Sequence, residues 1–301
     1  MNLYEINKEY SWVLFWLVAI FVGGGGVLNI NIEVPFLTII CFFLISTIGI
    51  SHGALDNLKG NKVLKFYGIK QKYLFYLTYL ILALLVIFFW ILFPLLTLSL
   101  FLLVASYHFG KEDSNFEGIK KRKFISLYFL LKGSVVVVAP LAFHTEETLQ
   151  IFKILNVQLT FINEKILISF LVLSFLSNIF ILDDKGIAVA DWFTIVILNM
   201  FFSPLLAFTI YFCFLHSVRH SLSLIYELNK NNFKKGFEEF IKKALPLTII
   251  TGALYLIAVF ILTNSYNLDN AILKVIFIGL ASLTFPHILL EYLIEKNEKR
   301  T

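Results

Sequence analysis

The chain has 301 residues, of which 59% are hydrophobic, 17% aromatic and only 15% charged, with a mean hydropathy of +0.84. Soluble globular proteins carry about 25% charged residues, so this composition excludes a soluble enzyme and points to a polytopic membrane protein. The formal charge of +5 comes from lysines gathered in a few loops, which speaks to topology and anionic lipid headgroups; no basic patch interleaved with aromatics suggests a nucleic-acid partner.

A helix spans a bilayer with about 17 to 25 apolar residues. Ten such spans are predicted, at approximately 11–28, 33–54, 73–93, 94–110, 124–143, 165–182, 187–202, 204–226, 245–264 and 271–292. The first has no cleavage pattern before it and reads as a retained helix. It carries a glycine run, Gly23 to Gly26, which lacks the setting of a phosphate loop and fits close helix packing or a local break. Only Pro94 separates the third span from the fourth, and only the turn at Ser203 and Pro204 separates the seventh from the eighth. The seventh is short and carries Asp191, so the bundle has about ten helices, with eight or nine as alternatives.

Basic residues cluster after the second span (Lys59, Lys62, Lys65, Lys70, Lys72), the fourth (Lys111, Lys120, Lys121, Arg122, Lys123) and the eighth (Lys230, Lys234, Lys235, Lys242, Lys243). The positive-inside rule then places both termini in the cytoplasm. On the outer side, the stretch from Thr145 to Glu164, with Leu149, Phe152, Ile154 and Leu155, reads as a short amphipathic helix on the membrane surface. Cys41 and Cys213 fall in apolar segments and read as small hydrophobes. With no internal repeat or linker, residues 1–301 form one integral membrane domain of all-α class.

The histidines are the chemically informative residues. Imidazole sits in hydrocarbon at modest cost when its lone pair binds a cation, whereas unsatisfied polar groups there are costly. In the predicted topology His52, His108, His216, His220 and His287 come from four helices and share one depth, near the cytoplasmic ends; His144 lies a membrane thickness away. His216 and His220 are four residues apart and project from one helix face, about 5 to 6 Å apart at Cβ, so two imidazoles can reach one ion. His52 and His108 are available to complete the shell, and such a nitrogen set suits iron at least as well as zinc. His287 is a fifth ligand, a donor to the ligands or a packing residue beside Pro286. Ligating histidines give their other N–H to a carboxylate or carbonyl; Asp56 and Asp113 are the best candidates, with Glu112 and Glu291 also nearby in sequence. Arg219, between the paired histidines, points to another face, for snorkelling or for pairing with Asp113 or Glu227.

The segments His52-Gly53-Ala54-Leu55-Asp56, Tyr107-His108-Phe109-Gly110, His216-Ser217-Val218-Arg219-His220 and Pro286-His287 resemble, in order and approximate separation, the Brp/Blh family of β-carotene 15,15′-dioxygenases. These are bacterial and archaeal membrane enzymes that make retinal, and the similarity runs from the second predicted helix to the tenth. The resemblance implies that His52, His108, His216 and His220 ligate Fe(II), with no organic cofactor. It implies that β-carotene and O2 are the substrates, that the central double bond is cut to two all-trans-retinal, and that a multi-pass protein of the cell (inner) membrane passes retinal to a microbial rhodopsin.

Three other readings compete. A histidine-box desaturase, or another membrane iron oxygenase acting on a lipid, is the nearest; the diiron desaturases use more histidines than the six present here. A b-type cytochrome needs histidines facing each other across the bundle, not two on one helix face. A metal or proton transporter predicts polar groups in both leaflets and an internal repeat.

Overall fold

The computed structural model describes residues 3–27, 36–114, 124–159, 162–181 and 186–298, without the side chains of residues 25–27, 52 and 181. The backbone is helical throughout, with no strand among the described residues, as a chain of this composition requires: in hydrocarbon a helix satisfies every peptide N–H and C=O internally.

The order is α1 (Leu3–Val27), then α2 (Leu37–Leu44), which runs through a π-helical turn (Ile45–Gly49) and a 3-10 segment (Ile50–Leu55) into α3 (Asp56–Phe66). Next come α4 (Tyr73–Leu92), α5 (Pro94–Glu112), α6 (Ile125–Phe143), α7 (Thr145–Ile154), α8 (Glu164–Ile181) and α9 (Gly186–Phe201). Then α10 (Pro204–Ile210) passes through a second π-helical stretch (Tyr211–Ser217) into α11 (Val218–Leu228), followed by α12 (Phe233–Leu262) and α13 (Leu268–Glu298).

Among the described residues, helical backbone lies within each of the ten predicted spans. Among the described residues, seven helical runs are long and apolar enough to cross a membrane: Leu37–Phe66, Tyr73–Leu92, Pro94–Glu112, Ile125–Phe143, Pro204–Leu228, Phe233–Leu262 and Leu268–Glu298; Gly186–Phe201 is a shorter apolar helix. Pro94 and Pro204 each open a new helix in its first turn, where the missing N–H costs nothing and φ is already set.

Two glycines set the closest helix approach. A Cβ on Gly110 of α5 would lie 1.8 Å from the Phe129 carbonyl oxygen, and one on Gly133 of α6 would lie 1.8 Å from that of Ser106. Backbones in this contact exclude any side chain, so these positions accept glycine alone. The run near the end of α1 behaves otherwise. The helix continues to Val27, and a Cβ on Gly23 or Gly24 would meet nothing within 4 Å, so neither packing nor a break accounts for those two glycines.

The predicted surface helix is α7, but its apolar side is covered by protein. Phe152, Leu155 and Val157 are buried in the main core, and the Trp90 indole donates to the Leu155 carbonyl at 3.3 Å. Cys41 and Cys213 are both free and fully buried in the same core.

Candidate metal centre

Four histidines from three helical runs converge. His108 lies in the buried last turns of α5, His216 near the end of the π-helical stretch, His220 one turn on in α11, and His287 in α13; all four are buried. Ring centroids are 5.4 Å apart for His108 and His216, 5.2 Å for His108 and His287, and 6.1 Å for His220 and His287. The backbone of His52 lies in the 3-10 segment between α2 and α3; its side chain is outside the described residues. His144 joins α6 to α7, 3.5 Å from Glu147, and is not in the cluster.

Three of the four imidazoles hydrogen-bond a carboxylate through Nδ1. His216 lies 3.1 Å from Asp113 Oδ1, His220 lies 3.2 Å from Glu112 Oε2, and His287 lies 2.9 and 2.8 Å from the two Asp56 oxygens. His108 Nδ1 faces Glu291 Oε2 at 3.7 Å. An ionised carboxylate only accepts, so a hydrogen bond to it puts the imidazole proton on Nδ1 and makes Nε2 the nitrogen that presents a lone pair. This carboxylate–imidazole arrangement is the one that orients metal-binding histidines.

The carboxylates are themselves held. Tyr211 donates to Asp113 Oδ2 at 2.8 Å, and the Asp113 carbonyl accepts from Lys132 at 3.1 Å and Arg219 at 3.3 Å. Burial pushes the Asp113 carboxyl up, yet His216, Arg219 and Lys132 override it and hold it well below the usual carboxylate range. Asp56 accepts from the Tyr79 hydroxyl at 3.1 Å, which is also 3.2 Å from the Leu283 carbonyl.

Asp56 and Asp113, the predicted carboxylate partners, each hold a histidine of a facing helix: Asp56 holds His287 and Asp113 holds His216. Arg219 is fully buried and bonded to Asp191 of α9, not to the headgroups or to Glu227. Asp191, the charged residue inside the short seventh predicted span, is that cation's counter-ion.

Sequence reasoning gave Tyr79 and Tyr211 no part, and no local pattern marks them. Glu291, one turn after His287 on the same face, is among the carboxylates nearby in sequence; its pairing with Lys59 at 3.1 Å is not foreseen there.

The donor set suits a transition metal. Two groups place their ligand atoms within 4.8 Å of one another: His108, His287 and Glu291, and Glu112, His220 and Glu291. Nitrogen with carboxylate oxygen is a set that takes iron, with room for open positions.

A cavity of about 220 Å³ opens beside the rings of His108, His216 and His287, walled by Ile50, Tyr79, Phe212 and Leu283 among others. Phe212 stacks on His216 at 5.9 Å and Phe109 meets it edge-on at 4.8 Å. On the other flank of α12 lies an apolar groove of about 910 Å³, lined by Phe42, Phe43, Phe237 and Phe240, and Thr248 borders both spaces.

Comparison with known proteins gives one answer. Residues 43–295 match the family model described as beta-carotene 15,15′-dioxygenase. A curated protein named beta-carotene 15,15′-dioxygenase, from an uncultured marine bacterium 66A03, is 30% identical over 274 residues, covering 85% of this chain and 94% of its own. No solved structure matches significantly.

Proposed function

The chain belongs to the beta-carotene 15,15′-dioxygenase family, and from that premise we propose that it is an iron enzyme of the cell membrane that cleaves the central double bond of β-carotene. The reaction adds O2 across one C=C bond, C40H56 + O2 giving two C20H28O, so atoms balance with no reductant and no organic cofactor. The observation that carries this reading is the convergence of buried, carboxylate-oriented histidines on the end of an apolar cavity.

His108, His216 and His220, with His52 from the neighbouring 3-10 segment, would hold the ferrous ion. Ferrous iron supplies the ability to activate O2 for reaction with an alkene. The chain supplies the rest. Asp113 and Glu112 fix the rings of His216 and His220, which keeps the ligand geometry from relaxing between turnovers. Phe109 and Phe212 pack on His216 and keep bulk water off the reacting centre. Tyr79 has its hydroxyl turned to Asp56 and Leu283, so it presents ring, not hydroxyl, to the cavity.

A C40 polyene is longer than a cavity of about 220 Å³ can enclose, so its arms run on between helices. The apolar groove past Thr248 offers one arm a path, and α4 and α12 open the site sideways to the bilayer in which the substrate dissolves. Holding the rod at fixed depth is what selects the central bond over its neighbours. The product, still apolar, leaves into lipid and on to an apoprotein that binds retinal.

The test is expression in a carotene-producing bacterial host with chromatography of the extracted pigments. Retinal that appears with the intact histidines and disappears without them is expected. Unchanged β-carotene with the protein confirmed in the membrane would overturn the reading.

A further inference from the structure

Glu291 occupies a position that the four-histidine shell does not explain. It follows His287 by one helical turn on α13, with its side chain 13% exposed, and it belongs to both groups of convergent donor atoms, one with His108 and His287, the other with Glu112 and His220. Its two oxygens are divided. Oε1 lies 3.1 Å from the Lys59 ammonium and 3.5 Å from His287 Nε2, while Oε2 faces His108 at 3.7 Å.

The other carboxylates are committed differently. Asp56 spends both oxygens on His287 and one of them also on Tyr79; Asp113 divides its oxygens between His216 and Tyr211; Glu112 meets His220 Nδ1. Each of these contacts orients a ring through Nδ1. Glu291 instead meets His287 on Nε2, the nitrogen that the Asp56 contact leaves for a ligand, and faces His108 Nδ1 at 3.7 Å, too far to hold that ring by a hydrogen bond. Two nitrogens and one carboxylate oxygen converging on one point form the donor set of mononuclear non-haem iron sites. A dication held by neutral imidazoles alone would also keep its full charge in a low-dielectric interior, and one carboxylate halves it.

We propose that Glu291 is an anionic ligand of the metal centre, closing the histidine shell from α13, and that Lys59 positions its second oxygen. This rests on the metal-centre part of the functional reading and not on the identity of the substrate.

The experiment uses the full chain in detergent, stripped with chelator and titrated with Co(II) alone, read by its visible d–d absorption and by cobalt per chain after gel filtration. Wild type is expected to bind one Co(II). Glu291→Gln, which keeps shape and hydrogen bonding, is expected to weaken binding about 10- to 100-fold and to change the bands; Glu291→Asp should recover part of the affinity. Lys59→Met removes the same ion pair but keeps the carboxylate, and should cost no more than about fivefold.

Glu291→Gln with wild-type affinity and bands would overturn the proposal. So would Lys59→Met losing as much metal as Glu291→Gln, which would make the carboxylate a salt-bridge partner only. Wild type that binds no Co(II) overturns both this proposal and the metal centre. Glu291-dependent Co(II) binding in a protein that forms no retinal supports the proposal and overturns the carotene reading instead.

Discussion

The lipid-facing helices and the site-bearing helices of this protein differ in the opposite sense from core and surface in water. The most apolar stretches of Tyr73–Leu92 and Phe233–Leu262 exceed those of every other candidate span among the described residues, yet only 6% and 11% of them is buried. The apolar stretches of Pro94–Glu112 and Pro204–Leu228 are the least apolar of the candidates, and 44% and 61% of them is buried. The most apolar segments face the solvent because the solvent is hydrocarbon, and the polar side chains withdraw to the interior where they find one another. In such a chain, a polar side chain within a buried span is the pointer to chemistry.

That contrast can be broken by mutation. The largest effect is expected at the helix crossing beneath the site: Gly133→Ala puts a methyl onto the Ser106 carbonyl and should abolish folded protein, read as loss of the monodisperse peak in detergent gel filtration. Normal yield would mean that α5 and α6 are not in contact there. Next, His216→Ala should leave the fold intact but remove bound iron and cut retinal formation more than about 100-fold; full activity would overturn the site.

A smaller loss is expected for Asp113→Asn. It leaves His216 a partner of poorer basicity and should weaken iron about 10- to 100-fold, visible as retinal formation that excess Fe(II) restores. On the lipid face, Leu84→Ala, at a side chain 54% exposed, should leave activity and thermal stability within experimental error, and so should His144→Ala. A strong defect at Leu84 would show that α4 is packed against something other than lipid.

Much of the architecture was legible because membrane helices are written locally. A run of apolar residues long enough to cross hydrocarbon has no other stable conformation, and Pro94 and Pro204 mark their breaks without reference to anything distant. The convergence of His108, His216, His220 and His287 was legible for the same reason, since depth follows from position within a span, while His52, predicted with them, has its side chain outside the described residues. The stretch from Thr145 to Glu164 reads as a short amphipathic helix, and its first part, Thr145–Ile154, is one, but a pattern does not say what covers the apolar side, and here it is Trp90 and the core rather than lipid.

The pairings were not legible. His216 with Asp113, His220 with Glu112 and His287 with Asp56 join residues 103, 108 and 231 positions apart, and Arg219 finds Asp191 across another helix interface. The sequence by itself determined the helices, their polar faces and the level at which the imidazoles lie, because those follow from transfer free energies and the 3.6-residue period. Only the tertiary structure decided which carboxylate turns which ring and which one, Glu291, stands among three histidines, because that depends on how α5, α11 and α13 rotate against one another when their close-packed faces meet.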